Sequence, residues 1–477
     1  MDARPMLRGL KWSVGGRGVS QALTWVLSLI TIRLLAPADF GLLALCETVL
    51  IFISYSNELG LGAAIIQNER MTRRELEAIG SFCVLWNGAL YLLLFAIAPL
   101  AADFYRAPAL TGVLRTLGLN LVVLAFAVVP RSLLIRDMRF RGVTLVKAGA
   151  GVAGGLVTVA AAYRGHGVWA LVMGSLLLSV LETTGYHWVL RTWPQLGAAF
   201  GTLRAHFRFG AAVMAQRMTW IAYMKADIFV VGRLFDTRTT GLYAIGRELA
   251  TLPLDRIGAS VNQVVFAGFA RIKHDRDAVR RFFIRGVGML CFASFPVFFG
   301  ISAVARPMVL TLFGPGWEGS VLVIQLMALT GPFRLVNTVS VEVLNALGAA
   351  QTNLQQVALT GGLVVAGIVV GVWWGIAGLC IGWLVGYLAG TALHTMCLAR
   401  RVSISGGLLC GSILRPLVGC GLMYPTVLGT LELLTPQPMW LQLIGGIAAG
   451  AAVYGLWTLL AMRTELRTVL DVVSGRG

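Results

Sequence analysis

Arg208 to Ala250 reads RFGAAVMAQRMTWIAYMKADIFVVGRLFDTRTTGLYAIGRELA. Two largely apolar runs flank the short polar link from Asp236 to Thr240. A bilayer core of about 30 Å takes roughly 20 apolar residues per helix. The stretch therefore reads as one membrane span, a tight turn and the start of the next. Arg217, Lys225, Asp227, Arg247 and Glu248 nevertheless sit inside the apolar runs. Charges at mid-bilayer are costly and belong where a bundle interior or a watery cavity receives them.

The whole chain carries the same signature. Hydrophobic residues make up 57% of its 477 residues and charged residues 13%, against about 25% charged in a soluble domain, which excludes a water-soluble globule. Glycine, 57 residues, suits helices packed closely in lipid. The expected spans are 12–35, 40–66, 78–100, 111–129, 142–162, 167–190, 208–232, 241–266, 284–305, 319–347, 354–374, 376–398, 408–432 and 439–462. The fold class is thus all-α, a polytopic membrane protein of about fourteen spans, with twelve as the alternative if the last pair is lost.

The net charge of +18 follows this topology. With a cytoplasmic N-terminus, 24 basic residues fall on that side, including Arg4, Arg8, Lys11 and the clusters Arg131 to Arg141 and Arg271 to Arg285. Only Arg106, Arg164, Arg233, Arg238 and Arg306 fall opposite. That asymmetry places both termini in the cytoplasm. It also accounts for the basic segments without nucleic acid, and no nucleic-acid partner is expected. The seven cysteines and five histidines are scattered with no CxxC pair, so neither a disulfide framework nor a metal site is indicated.

A shift of 200 residues superposes Arg33-Leu34 on Arg233-Leu234, Gly41-Leu42 on Gly241-Leu242 and Ala44 on Ala244. Spans 1–2 thereby correspond to spans 7–8. Six intervening helices preserve orientation, the mark of a parallel repeat about the membrane normal. The expected architecture is an N-lobe (1–200), a C-lobe (201–400) and a C-terminal helix pair (401–477) around a cationic cavity.

RLLAPADFGLLAL (Arg33 to Leu45), ELGLGAAIIQ (Glu58 to Gln67) and Arg208 to Ala250 resemble the Wzx-type polysaccharide transporter family of the multidrug/oligosaccharidyl-lipid/polysaccharide exporter (MOP) superfamily. The flavour is closest to colanic acid or xanthan type exopolysaccharide exporters. The resemblance implies two rocking six-helix lobes and a bacterial inner-membrane flippase. Its substrate would be undecaprenyl-pyrophosphate-linked oligosaccharide for exopolysaccharide or O-antigen synthesis, coupled to a proton or sodium gradient, with membrane lipids and the pathway's polymerase and export machinery as partners. No cofactor is implied.

A pyrophosphate leaving water needs donors along its route, and arginine grips phosphate with two at once. Arg334 and Arg256 by depth lie mid-span, Arg217 and Lys225 on either side, Arg247 and Arg17 nearer the ends. These six are the candidate substrate residues, the competing reading being static neutralisation of nearby acids. Glu47, Asp227, Glu248 and Glu342 are candidates for ion coupling or a gate, since burial and a nearby cation shift a carboxyl in opposite directions. Arg33, Arg233, Arg115 and Arg415 read as helix caps or snorkelling residues. Pro253, Pro296 and Gly331-Pro332 mark hinges, and Gly378, Gly382, Gly386 and Gly390 a close-packing face. Short outer loops without a soluble domain argue against a membrane glycosyltransferase or polymerase, so no enzyme is expected. A multidrug or small-molecule cation antiporter would favour an acidic cavity, and a peptidoglycan-precursor flippase stays open.

Overall fold

Long apolar runs punctuated by Gly and Pro become helices, because within lipid every backbone N–H and C=O has to be satisfied inside the segment. The computed structural model describes residues 20–54, 60–68, 71–191, 197, 223–272, 275–402, 404 and 406–467. Every regular element among the described residues is helical. The chain divides into two compact units, Met1–Gly241 and Leu242–Gly477.

The first unit holds α1 (Ser20–Leu34), α2 (Pro37–Ser54), α3 (Leu61–Gln67), α4 (Arg73–Tyr105), α5 (Ala109–Ala125), α6 (Val128–Arg136), α7 (Phe140–Tyr163), α8 (Val168–Leu190) and α9 (Ala226–Leu234). Helix α10 (Thr237–Ile272) starts there and continues into the second unit. That unit holds α11 (Arg276–Ala303), α12 (Ala305–Leu312), α13 (Val321–Ala328), α14 (Gly331–Ala346), α15 (Ala350–Gly371), α16 (Gly375–Arg401), α17 (Gly406–Leu433) and α18 (Met439–Ala461). Seven of the described helical segments are long and apolar enough to cross a membrane, Gln351–Arg401 counting as one, or up to nine if each of two bent pairs is one span. The protein is a multi-pass helical membrane protein.

Local chemistry sets the element ends. Glu75 N donates to Thr72 Oγ1 at 3.3 Å and Thr72 N donates to Glu75 Oε2 at 2.7 Å, a capping box that starts α4 straight after a charged segment. Apolar side chains then assemble separate cores. One is built on Leu45, Leu94, Leu110, Leu114 and Val172, another on Phe283, Phe295, Val339, Val343 and Leu398. The glycines of α16 do pack as a face: a Cβ on Gly382 would run into the backbone of Gly367, and one on Gly378 into that of Gly371.

Two helix pairs are bent at a short break. Helices α5 and α6 meet at 46°, and the segment Pro315–Ala328 meets α14 at 41°. The second bend lies just before Gly331-Pro332, where a hinge was expected. The first was not anticipated: the apolar run stops at Val129 and Arg131 reads as loop, yet the helix resumes through Arg136. Neighbouring side chains satisfy the carbonyls each bend releases. Thr183 Oγ1 donates to Val123 O (3.1 Å) and His187 Nε2 to Phe126 O (3.1 Å), both from α8. In the second unit Ser302 Oγ donates to Gln325 O (2.9 Å) and Thr330 Oγ1 to Met327 O (2.7 Å).

The other hinge prolines do not break their helices: Pro253 lies within α10 and Pro296 within α11. Proline cannot donate to the carbonyl four residues earlier. For Pro296 that carbonyl is Phe292 O, which instead accepts from Tyr454 Oη at 3.0 Å. Pro99 in α4 likewise leaves Phe95 O, which accepts from Arg115 Nε at 3.2 Å. An external donor thus replaces the missing bond, and the helix runs on.

Candidate functional site

Amphipathicity singles out α14. Arg334, Thr338, Glu342 and Asn345 recur at four, four and three residues, within a sector of about 80° at 100° per residue. All four are half-buried or exposed, whereas Leu335, Val336, Val339, Ser340, Val343 and Leu344 are buried on the opposite side. A stripe carrying a guanidinium and a carboxylate is disfavoured against hydrocarbon.

Packing against α16 holds the Arg334 end of this stripe. The Arg334 guanidinium lies over Trp383 and Tyr387, 5.5 and 6.0 Å from the ring centroids. The two rings are stacked 5.0 Å apart and 1° from parallel. Asn337 Nδ2 donates to Tyr387 Oη at 3.1 Å and locks the tyrosine to α14. Cation–π contact holds the guanidinium over the two rings. Neither aromatic residue stood out in the sequence reading. Their signal was an i, i+4 aromatic pair between glycines on α16, easily taken for core. Beyond them on the same stripe, Thr391 Oγ1, both His394 ring nitrogens and Thr395 Oγ1 are buried and have no hydrogen-bond partner among the described residues.

The other candidates are dispersed. Arg17 and Arg217 lie outside the described residues, and Arg256 sits on the α10 backbone with its side chain outside them. Lys225, half-buried, precedes α9 as its N-cap residue. Asp227 is fully buried in the first turn of α9, where its Oδ1 accepts from Ile228 N at 2.8 Å. Arg247 is half-buried, while Glu47 and Glu248 are exposed. Glu342 is half-buried and makes no hydrogen bond or ion pair among the described residues. Of the candidates whose side chains are described, Arg334 and Glu342 share a face of α14.

The arginines assigned structural roles have identifiable partners. Arg233 Nη1 donates to Phe104 O at 2.8 Å, capping the last turn of α4, with its guanidinium 5.0 Å from the Phe104 ring. Arg115 completes α4 at Pro99, as above, and lies 3.8 Å over the Phe95 ring. Arg415 pairs with Glu465 at 3.1 Å. Arg33 has interactions of its own. Among the described residues no group of three or more His, Cys, Asp or Glu is placed to hold a metal ion.

This helical arrangement is shared with transporters of known structure. It is similar to the lipid II flippase MurJ in an inward closed conformation, with TM-score 0.74, 11% identity, and 94% of this chain and 99% of that one covered. It is also similar to an inward-facing multidrug resistance MATE family transporter of the MOP superfamily, with TM-score 0.63, 15% identity, and 80% and 94% covered. The fold class is therefore that of these two.

Residues 30–322, more than half of the chain, match the family described as polysaccharide biosynthesis protein. The chain belongs to that family. Its relatives include the succinoglycan biosynthesis transport protein ExoT of Rhizobium meliloti (strain 1021), 27% identical over 100% of this chain and 97% of that protein. The lipopolysaccharide biosynthesis protein WzxC of Escherichia coli (strain K12) is 24% identical over 69% and 68% of the two chains. These relatives are polysaccharide biosynthesis proteins, one of them named as a transporter.

Proposed function

We propose that the protein is a flippase that moves undecaprenyl-pyrophosphate-linked oligosaccharide repeat units across the bacterial inner membrane for exopolysaccharide or O-antigen synthesis. The observation that carries this reading is the polar stripe of α14, headed by Arg334 on its aromatic shelf, in a chain of the polysaccharide biosynthesis family. The full-length likeness to ExoT, a succinoglycan transport protein, supports a polymer repeat unit as cargo.

In this proposal two rocking lobes, 1–200 and 201–400, with the pair 401–477 appended, form fourteen spans with both termini cytoplasmic. Arg334, Arg256, Arg217, Lys225, Arg247 and Arg17 exchange contacts with the pyrophosphate and with acidic sugars as it passes. Glu342, with Glu47, Asp227 and Glu248, couples the cycle to a proton or sodium gradient. Membrane lipids surround the protein, and the pathway's polymerase and export machinery receive the product. The role is transport without bond chemistry.

Conditional depletion tests the reading through the lipid fraction. The expected result is accumulation of a complete oligosaccharide on undecaprenyl pyrophosphate in the inner leaflet, with secreted polymer lost. Truncated units or unaltered pools would overturn it.

A further inference from the structure

Both bent pairs resume in a helix whose fourth residue is an arginine: Arg131 in α6 and Arg334 in α14. Each arginine lies on a helix set near a tyrosine of a later helix in its unit. Tyr387 lies beneath Arg334 at 6.0 Å. Tyr186, on α8, packs in one cluster with Ala127 and Leu134, about one turn to either side of Arg131. The tyrosines follow their arginines by 53 and 55 residues, so the pairs occupy corresponding places in the repeat. Within each unit the bend, the arginine and the tyrosine therefore recur together.

The polar ends of the first-unit pair are not spent on the fold. Arg131 is exposed, and its side chain makes no hydrogen bond or ion pair among the described residues. Tyr186 is 0% exposed, yet its hydroxyl has no hydrogen-bond partner. A buried hydroxyl without a partner is costly to leave so, and marks a place where a ligand group or water completes the bonding. One position differs between the units. Four residues before its tyrosine, the second unit has Trp383 and the first has Glu182, whose carboxylate also acts on Tyr186. No ion pair closes between Arg131 and Glu182 among the described residues.

We propose that Arg131, with the Tyr186 hydroxyl beside it, is a second phosphate-binding site for the lipid-linked substrate, the first-unit counterpart of Arg334. The inference rests on the flippase reading above. A guanidinium donates two parallel bonds to a phosphate, and a phenol supplies a third. The Glu182 carboxylate opposes a bound anion, so this site holds phosphate less tightly than it would with a neutral side chain there. Weak holding suits a transporter, which has to release what it binds.

The test uses the full chain in lipid nanodiscs, titrated with undecaprenyl pyrophosphate and read by native mass spectrometry. Undecaprenol serves as the phosphate-free control. Arg131→Ala is expected to weaken undecaprenyl pyrophosphate binding about tenfold, the loss of one charge-assisted contact. Arg131→Lys falls between, since an ammonium lacks the paired donors. Glu182→Gln is expected to tighten binding several-fold. Undecaprenol binding stays the same in all three. If Arg131→Ala fails to fold, the lysine and glutamine variants decide the matter. Unchanged affinity in the Arg131 and Glu182 variants, while Arg334→Ala weakens binding, would overturn this site alone. Unchanged affinity in every variant, Arg334→Ala included, would overturn the flippase reading with it.

Discussion

Asp236 precedes α10, and its Oδ1 accepts from Thr239 N at 2.9 Å. The Thr239 hydroxyl, and next the Thr239 N–H, hold its carboxyl below the ordinary value of 3.8. A carboxyl depressed on folding contributes stability above its unfolded pKa and loses it as pH falls through the folded one. Asp236→Ala should therefore cost about 1 kcal/mol at neutral pH, and Asp236→Asn only a few tenths, because asparagine caps nearly as well. Thermal unfolding in detergent from pH 7 downward checks both, and the gap between wild type and Asp236→Ala should narrow in acid. Tyr454 offers a second single-residue case. Tyr454→Phe strips the donor from Phe292 O beside Pro296 and should cost about 1–3 kcal/mol, the penalty of an unpaired buried acceptor. An unchanged melting temperature would show that water or another group takes over that carbonyl.

At the level of elements, α15 and α16 are two helices brought together by glycine. Gly367, Gly371, Gly378 and Gly382 put backbone against backbone, and a methyl group at any of them would meet the opposite chain. Gly362, on the same α15, has nothing within 4 Å of where its Cβ would be. Gly382→Ala should thus destabilise by about 1–3 kcal/mol through overpacking. Gly362→Ala should be neutral or gain about 0.5–1 kcal/mol from helix propensity. Comparing the two melting temperatures separates packing from propensity, and equal shifts would sink the close-packing account. The four-residue spacing on α16 was legible beforehand because periodicity alone reveals a face. Its partner glycines on α15 were not, since nothing in a linear string says which helix supplies the other side. The same limit hid the bend between α5 and α6. No Gly-Pro marks it, and hydropathy ended the span at the first arginine.

Across the whole chain, the repeat seen at a shift of 200 residues has a physical counterpart. Gly41 at the start of α2 crosses Gly241 near the start of α10: a Cβ on Gly41 would strike the Thr237 carbonyl, and one on Gly241 the Pro37 carbonyl. Each glycine thus opposes the residue related by the same shift to its own helix start, and the motif that defines the repeat is also where its two copies touch. Gly41→Val and Gly241→Val should each abolish polymer secretion to a similar extent while leaving the protein inserted in the membrane, measured by secreted polysaccharide and by membrane immunoblot. A defect in one variant alone would contradict a reciprocal crossing. Apolar run length and the family-like motifs are properties of the linear order, and they sufficed for a helical membrane protein of the polysaccharide family. Which charges are buried and what they pack against was beyond reach of that order. Asp227 is buried, and Glu47 and Glu248 are exposed. An intramembrane charge takes its role from neighbours such as Trp383, Tyr387 or Tyr186, which lie some 50 residues away along the chain and come within reach only once the helices have packed.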